Sequence, residues 1–524
     1  MDRYYIPVVE ELEKKITATG SSYIPVRNLK SSKALIERAV SEGKLVLQCN
    51  TNGEKFVTLP FIRTLEWRIA HNAVAHVNEV PPRPNMPDDE IDRHIDAFEK
   101  LESEKCGFEY KLHSEQRNAV HMAVNSHMCV LTGGPGTGKT TVMNAIRYCE
   151  ERKYDGFRKP LIIFTAPTGK AARRITESVG VPAKTVQRQI GANELNDVPS
   201  IVAGDFMIVD EISMLDTITA DHLLCAIDSK MKLLLVGDVD QLPSVGFGSV
   251  LRDLIDSGAI PVTKLEKTFR QKDGSVLAKN IAYLRAGYHE LEEGDDFKVH
   301  AAEGDMVQKL LDEFVASVDK WGLENTVLLT PYRRKGDTCA NKMNALIQKT
   351  INSKSKGIKC VITDEDDDGE TYQQIVCFRV GDPVMQLKNR RDCPIANGDV
   401  GFVTNVWPEK QTITVDYGHY KKIYHPEEFS ELTLAYAMSV HKSQGSEYKC
   451  VITAALPEHK LLLNRNMVYT AVTRAKKECI VYADMDCLKQ ALTVEGGYIR
   501  DTFLCEEIQF ENRKRQLIKS AANF

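Results

Sequence analysis

The chain has 524 residues, 43% of them hydrophobic and 27% charged, with a net charge of −5 and a pI near 6.3. Such a balance is that of a globular protein with a core of normal size, and the length allows three or four domains. No apolar run is long enough to span a bilayer, the start lacks the head and apolar stretch of a signal peptide, and the 13 cysteines include no Cys-x-x-Cys pair, so neither a membrane partner nor a zinc knuckle is expected and the expected compartment is cytoplasmic, or nuclear or viral-replicative in a eukaryotic host.

In chain order, residues 1–92 read as an accessory unit with its linker. Two helical stretches, at 10–16 and 32–40, precede the β-like runs Leu45-Val46-Leu47-Gln48 and Lys55-Phe56-Val57-Thr58-Leu59, with Asn52-Gly53 as a hairpin turn between them. This pattern is winged-helix-like, which serves DNA binding and protein docking equally. Pro81, Pro82, Pro84 and Pro87 mark the linker. From 93 to 268, apolar strands such as Cys129-Val130-Leu131-Thr132 and Phe206-Met207-Ile208-Val209 alternate with helices, the mark of a buried parallel sheet. A second such set spans 269–350 and 431–524, the latter ending in a C-terminal tail, and a β-rich stretch, 351–430, reads as a small barrel inserted between its halves. The acidic run 364–368 and the basic Arg513-Lys514-Arg515 read as a solvated loop and helix end. The fold class is therefore α/β with two parallel-sheet domains, an inserted barrel and an N-terminal helical module.

The sharpest chemical signal is Gly133-Gly134-Pro135-Gly136-Thr137-Gly138-Lys139-Thr140-Thr141, a phosphate-binding loop set between a strand and a helix. Its glycines let backbone N–H groups surround phosphates, and the helix N-terminus adds positive charge. Lys139 is expected on the β- and γ-phosphates of ATP, and Thr140 on Mg²⁺. Downstream, Ile208-Val209-Asp210-Glu211 ends an apolar strand with two carboxylates, Asp210 for the metal shell and Glu211 for the attacking water.

Further segments then follow in a fixed order. They are Thr165-Ala166-Pro167-Thr168-Gly169-Lys170, Val236-Gly237-Asp238-Val239-Asp240-Gln241, Leu265-Glu266-Lys267-Thr268-Phe269-Arg270-Gln271, Thr330-Pro331-Tyr332-Arg333, Ala396-Asn397-Gly398-Asp399, Ser439-Val440-His441-Lys442-Ser443-Gln444-Gly445 and Tyr469-Thr470-Ala471-Val472-Thr473-Arg474. The series resembles the 5′→3′, RecD-like branch of superfamily 1 DNA helicases over roughly residues 110–485. The resemblance implies two RecA-like domains with an SH3-like insertion and an ATP cleft between them. It implies that Arg270 and Arg474 act as arginine fingers, that Gln241 senses the γ-phosphate and that Gln116 reads adenine. It also implies a track for single-stranded DNA made by Thr165, Pro167, Thr168, Lys170, Thr185, Tyr332, Asn397, Ser439, His441, Lys442 and Ser443, with Phe247 and Tyr436 as further stacking candidates.

One departure stands out. Relatives of this type often carry a β-hairpin pin between the first DNA motif and the Asp-Glu strand, whereas the stretch from 191 to 203 here is short and contains Pro199. The expected function is an ATP-dependent helicase moving 5′→3′ on single-stranded DNA, with a forked or 5′-tailed duplex as substrate. The alternative is an ATP-gated DNA-binding or remodelling subunit of a repair, recombination or nuclease complex, docked through its N-terminal module.

Overall fold

The computed structural model describes every residue except 1–5, 80–84, 155–157, 193, 270–273, 289, 366–370, 391–392, 494–499 and 523–524. Arg270, the prolines at 81, 82 and 84, and acidic residues 366–368 therefore lie outside the described residues.

The first sheet has six strands, all parallel, ordered Ala183–Thr185, Ile162–Ala166, Phe206–Val209, Lys232–Gly237, Met128–Gly133 and Val262–Leu265. Its central strands are buried along their whole length, as their unbroken apolar sequences require when helices cover both faces. Lys232 is the exception at the start of a central strand. Its ammonium is accommodated by the carbonyls of Ala123 (3.0 Å) and Val124 (2.8 Å) and by Glu150, because a buried charge without partners would cost several kcal/mol.

The second sheet has five parallel strands, ordered Phe297–Ala301, Ala475–Ala483, Tyr448–Ala455, Thr326–Thr330 and Ala437–Ser439. Between helix Ala340–Ile351 and strand Ala437–Ser439 the chain makes a hairpin, Gly357–Glu365 with Thr371–Arg379, and a five-stranded antiparallel sheet running from Pro383–Gln386 to Leu432–Leu434. The insertion shares one apolar cluster with the second sheet, including Phe314, Leu328, Ile347, Phe378, Tyr424 and Ile452. Buried Asp382 pins the two together, accepting from Tyr436 Oη (2.7 Å), Asn352 Nδ2 (2.6 Å), Gln348 Nε2 (2.5 Å) and the Arg379 N–H (2.7 Å). Tyr436 is thus a core residue and offers no face to a base. Phe247 is half-buried and packs edge-on against Phe61, at 6.4 Å between ring centroids.

The N-terminal module has the expected helices, Ile6–Thr19 and Lys33–Ser41, and a three-stranded antiparallel sheet that turns at Gly53. It continues into a long helix, Pro60–Val77, whose Ile69, Ala70, Ala73 and Val74 belong to the core of the first sheet domain. The C-terminal helix, Leu504–Ala522, packs on that same helix and contributes Leu504 and Ile508 to the same core. The C-terminal tail of the 431–524 segment is thus packed on the first domain. The basic residues at 513–515 lie on a helix whose buried face holds it to the first domain.

Near the end of the long helix, the His76 ring lies 4.7 Å from that of His127, and their Nε2 atoms bond the carbonyls of Met231 and Ser229 at 2.6 Å. Burial, then His127, pushes His76 down to about 4. A histidine held neutral in the fold but free to protonate when unfolded contributes stability that is complete above pH 6.5 and drains away as pH falls toward 4. We expect a loss of about 2 kcal/mol from this group between pH 7 and pH 5. Urea unfolding of the wild type and of His76→Gln at the two pH values checks this; equal pH dependence in both would refute it.

Candidate nucleotide site and nucleic-acid cleft

The phosphate loop leaves strand Met128–Gly133 and enters helix Lys139–Arg152. Gly138 has φ of +85°, and a Cβ there would lie 2.3 Å from Gln116 Nε2, so side chain and conformation both require glycine. Lys139 Nζ donates to the carbonyls of Gly133 (2.6 Å) and Gly134 (3.0 Å). Buried Thr137 donates to Gly134 O at 2.8 Å. Gln116 is buried, donating to Thr137 O (3.0 Å) and accepting from the His113 N–H (2.9 Å). Its amide therefore braces the loop from beneath. Pro135, Gly136, Thr140 and Thr141 are half-buried along the loop and the first turn of the helix.

Asp210 and Glu211 follow the strand Phe206–Val209 beside this loop. Burial and the neighbouring Glu211 push Asp210 up to about 6, opposed by Lys139. Glu211 sits in the left-handed region at φ 54°, ψ 37°, its N–H donating 2.8 Å to Asp210 Oδ1. Strain of this kind at a non-glycine residue is typical of functional sites. Asp210 and the Thr140 hydroxyl are hard oxygen donors of the kind Mg²⁺ accepts. Among the described residues no group of three or more His, Cys, Asp or Glu could hold a metal. A few protein oxygens completed by water and phosphate is the usual arrangement for Mg²⁺.

Sequence reasoning passed over two members of this site as individual residues. Asp238, fully buried, accepts from Tyr469 Oη (3.0 Å) and Gln241 Nε2 (3.3 Å). Tyr469 comes from the second domain, and its hydroxyl would stand 3.0 Å from a Cβ on Gly134. The available signal was a tyrosine in the helix Arg465–Val472, among Met467, Val468, Ala471 and Val472, whose phenol needs a buried partner. The loop carrying Gln241 is gripped from the same side. Asn466 Nδ2 donates to Gln241 O (2.9 Å), Thr470 Oγ1 accepts from the Leu242 N–H (2.9 Å) and Gln444 Nε2 donates to Leu242 O (3.0 Å).

Arg474 is buried and bonds Thr470 O (3.1 Å), Ser446 O (3.3 Å) and Thr473 Oγ1 (3.2 Å), all in its own domain.

A separate cleft of about 1110 Å³ runs where the two sheet domains and the insertion meet. It gathers Pro167, Thr168, Lys170 and Thr185 from the first domain, Asn397 from the insertion, and His441 and Lys442 from the second, with Gln187, Arg188, Asn389, Arg390, Met214 and Val245 beside them. Thr168 and Thr185 cap helices, accepting from the N–H groups of Ala171 and Arg188 at 3.2 Å, and each keeps its own O–H to donate. Lys442 Nζ bonds Asn397 Oδ1 (3.0 Å), and Arg173 grips Asp399 at 2.8 and 3.0 Å, closing the wall between bodies. Lys170 bonds Ser446 Oγ (2.5 Å), and burial pushes it down to about 8. Burial also lowers His441 and Lys442.

Four expected members do not line this cleft. Thr165 is fully buried with Oγ1 on Ile208 O (3.5 Å), and Ser443 is fully buried with Oγ on Val440 O (2.7 Å). Ser439 pairs with Thr330 within the sheet, and the Tyr332 ring lies beside His459 at 6.2 Å. Their hydroxyl- and aromatic-rich sequence resembled contact chemistry, but strand pairing at Thr165 and Ser439, a tight turn at Ser443 and the loop at Tyr332 turned them elsewhere.

Fold and site together define a P-loop ATPase with two RecA-like domains. Residues 111–307 match a family model described as an AAA domain, 343–417 the SH3 domain of ATP-dependent RecD-like DNA helicases, and 434–482 a UvrD-like helicase C-terminal domain. The chain is 34% identical over 381 residues to the ATP-dependent RecD2 DNA helicase of Deinococcus radiodurans, covering 70% of this chain and 48% of that protein, so it spans about half that relative's length. It is 29% identical over 415 residues to the RecBCD enzyme subunit RecD of Mycolicibacterium smegmatis, covering 71% and 70% of the two chains. A Bacteroides Pif1 helicase solved with ADP-AlF3 and single-stranded DNA superposes with a TM-score of 0.47 at 19% identity, over 78% of this chain and 98% of that one. Across the phosphate-loop domain, the insertion and the closing strands of the second sheet, the chain is thus similar to RecD-like helicases.

The strain at Glu211 has a measurable consequence. Glu211→Gly should stabilise the fold by roughly 0.5–1 kcal/mol, the left-handed penalty less the extra entropy of glycine, while Glu211→Gln should leave stability unchanged. Chemical denaturation of both variants measures this, and equal midpoints would remove the claim that strain is stored there.

Proposed function

We propose that this chain is an ATP-dependent DNA helicase that moves 5′→3′ along single-stranded DNA. The observation that carries the reading is the single cleft in which residues picked for DNA contact from three separate bodies converge, next to a phosphate loop whose sensor segment is gripped by the second domain. ATP occupies the loop, with Lys139 on the β- and γ-phosphates, the loop's backbone N–H groups around them and Gln116 bracing it from beneath. Thr140 and Asp210 hold Mg²⁺, which when bound neutralises phosphate charge. Glu211 takes up the attacking water, with Arg270 and Arg474 offering positive charge to the transferring phosphoryl group. For Arg474 this requires release from its carbonyl partners as the cleft closes.

Motion follows from differential contact. ATP favours the closed arrangement because cations of both domains converge on its phosphates, and hydrolysis removes that preference. Because Gln241 and Leu242 are bonded to the second domain, a change at the γ-phosphate passes to the wall bearing His441 and Lys442. Thr168, Thr185, Lys170, Asn397 and Lys442 position the strand by its phosphates without reading sequence. Their helix N-termini and hydroxyls suit that task.

Among the described residues between 191 and 203 no paired strand occurs beyond a single bridge, Val202 with Ile227. The hairpin at 357–379 has no described residue lining the cleft. Strand separation then relies on the cleft's own rim, and the N-terminal module, fused to the first domain by its long helix, acts as a rigid docking platform for a partner.

Lys139→Ala and Glu211→Gln should each lower DNA-stimulated ATP hydrolysis at least about a hundredfold while the folded circular-dichroism signal persists; steady turnover in either refutes the site. On tailed duplexes, release is expected with 5′ and not 3′ overhangs. Hydrolysis without release on any tail would establish a remodeller instead. Binding of single strands should fall steeply with salt, since each phosphate contact releases about 0.7 of a counterion.

A further inference from the structure

The second domain presents a cation to the phosphate loop that the motif series does not include. Arg285 lies in the last turn of helix Val276–Ala286. Its Nη1 would be 3.7 Å from a Cβ placed on Gly134, the residue whose carbonyl also holds Lys139. Its Nε bonds Asp240 Oδ2 at 2.9 Å, and Nη1 reaches Leu265 O at 3.4 Å. Its Nη2 is buried with no hydrogen-bond partner. A guanidinium carries five donors in a fixed fork, and one left unsatisfied beside a phosphate loop is a donor in want of an oxyanion.

Asp240, its present partner, precedes Gln241 in the segment that the second domain grips. Tyr469 and Asp238 flank the pair; burial works against a charge there, and the carboxylates of Asp240 and Asp238 favour the cation. We infer that Arg285 is a further phosphate-contacting residue of the ATP site, which exchanges the Asp240 carboxylate for the terminal phosphate of ATP when nucleotide binds. Asp240 thereby competes with the γ-phosphate for one guanidinium. In the nucleotide-free protein the ion pair holds helix Val276–Ala286 to the loop of the first domain. With ATP bound the same fork spans the cleft to the phosphate, and the loop bearing Gln241 is released from that tether. With ADP there is no γ-phosphate to compete, and Asp240 recovers its partner.

The inference rests on the nucleotide-site reading above, and the two fail separately. Titrate fluorescent ADP and a non-hydrolysable fluorescent ATP analogue, both with Mg²⁺, into full-length wild type, Arg285→Ala, Arg285→Lys, Asp240→Asn and Lys139→Ala. Removing a charge-assisted contact made only to the terminal phosphate should weaken the ATP analogue about tenfold or more in Arg285→Ala while changing ADP by less than about twofold. Arg285→Lys, which keeps charge and loses the fork, should fall between. Asp240→Asn should shift the opposite way, tightening the ATP analogue, because the competitor is gone.

A merely structural ion pair predicts instead that both partners' variants shift the two nucleotides alike. That result, or an unchanged ratio of ATP-analogue to ADP affinity in Arg285→Ala, overturns the inference. Should Arg285→Ala fail to fold, the contrast between Arg285→Lys and Asp240→Asn decides the question. Lys139→Ala must weaken both nucleotides; if it does not, the nucleotide site itself is misassigned, whatever Arg285 does.

Discussion

Everything mechanical in this protein depends on a loop of the first domain being owned by the second. Gln241 and Leu242 emerge from a buried strand of one sheet, yet their backbone groups are bonded by Asn466, Thr470 and Gln444 of the other. Backbone groups buried at such a junction must find partners, and here they find them across the domain boundary. The Gln241 side chain, proposed above to sense the phosphate, and a backbone tied to the opposite body are parts of one residue. The two domains therefore cannot move relative to one another without disturbing that residue.

The same principle of shared ownership recurs at the cleft. Arg173 of the first domain is neutralised by Asp399 of the insertion, Lys442 of the second domain donates a hydrogen bond to Asn397 of the insertion, and Arg174 of the first domain shares Glu447 with Lys476 of the second. Pairs of this sort with partial exposure contribute modestly to stability. Their value is geometric, since each is made or broken as the bodies shift. The insertion is no passenger either, because its apolar core is continuous with that of the second sheet and Asp382 rivets the junction.

Much of this was legible in the sequence because its chemistry is local. A phosphate loop needs its glycines at fixed spacing, a parallel strand needs an unbroken apolar run, and an Asn-Gly turn needs little beyond its two residues. What was not legible was direction. Thr165 and Ser443 have the composition of contact residues, but the period-two alternation of a strand and a tight turn aimed their hydroxyls into the core. Tyr436 looked like a platform until the distant Asp382 claimed its phenol. Asp238 and Tyr469 are 231 positions apart, so their hydrogen bond has no trace in either local pattern. The long helix Pro60–Val77 likewise belongs to the first domain's core for reasons written elsewhere in the chain.

That helix has an implication for biosynthesis. One side of it is covered by Leu504–Ala522, a segment that leaves the ribosome more than four hundred residues later. The first domain's core is complete only when Leu504 and Ile508 arrive. A nascent chain can form the phosphate loop and its sheet early, but it must carry an open apolar seam throughout synthesis of the second domain. Such exposure invites chaperones and off-pathway association. It also closes a circuit, in which a helix made late locks a domain whose sheet can form early.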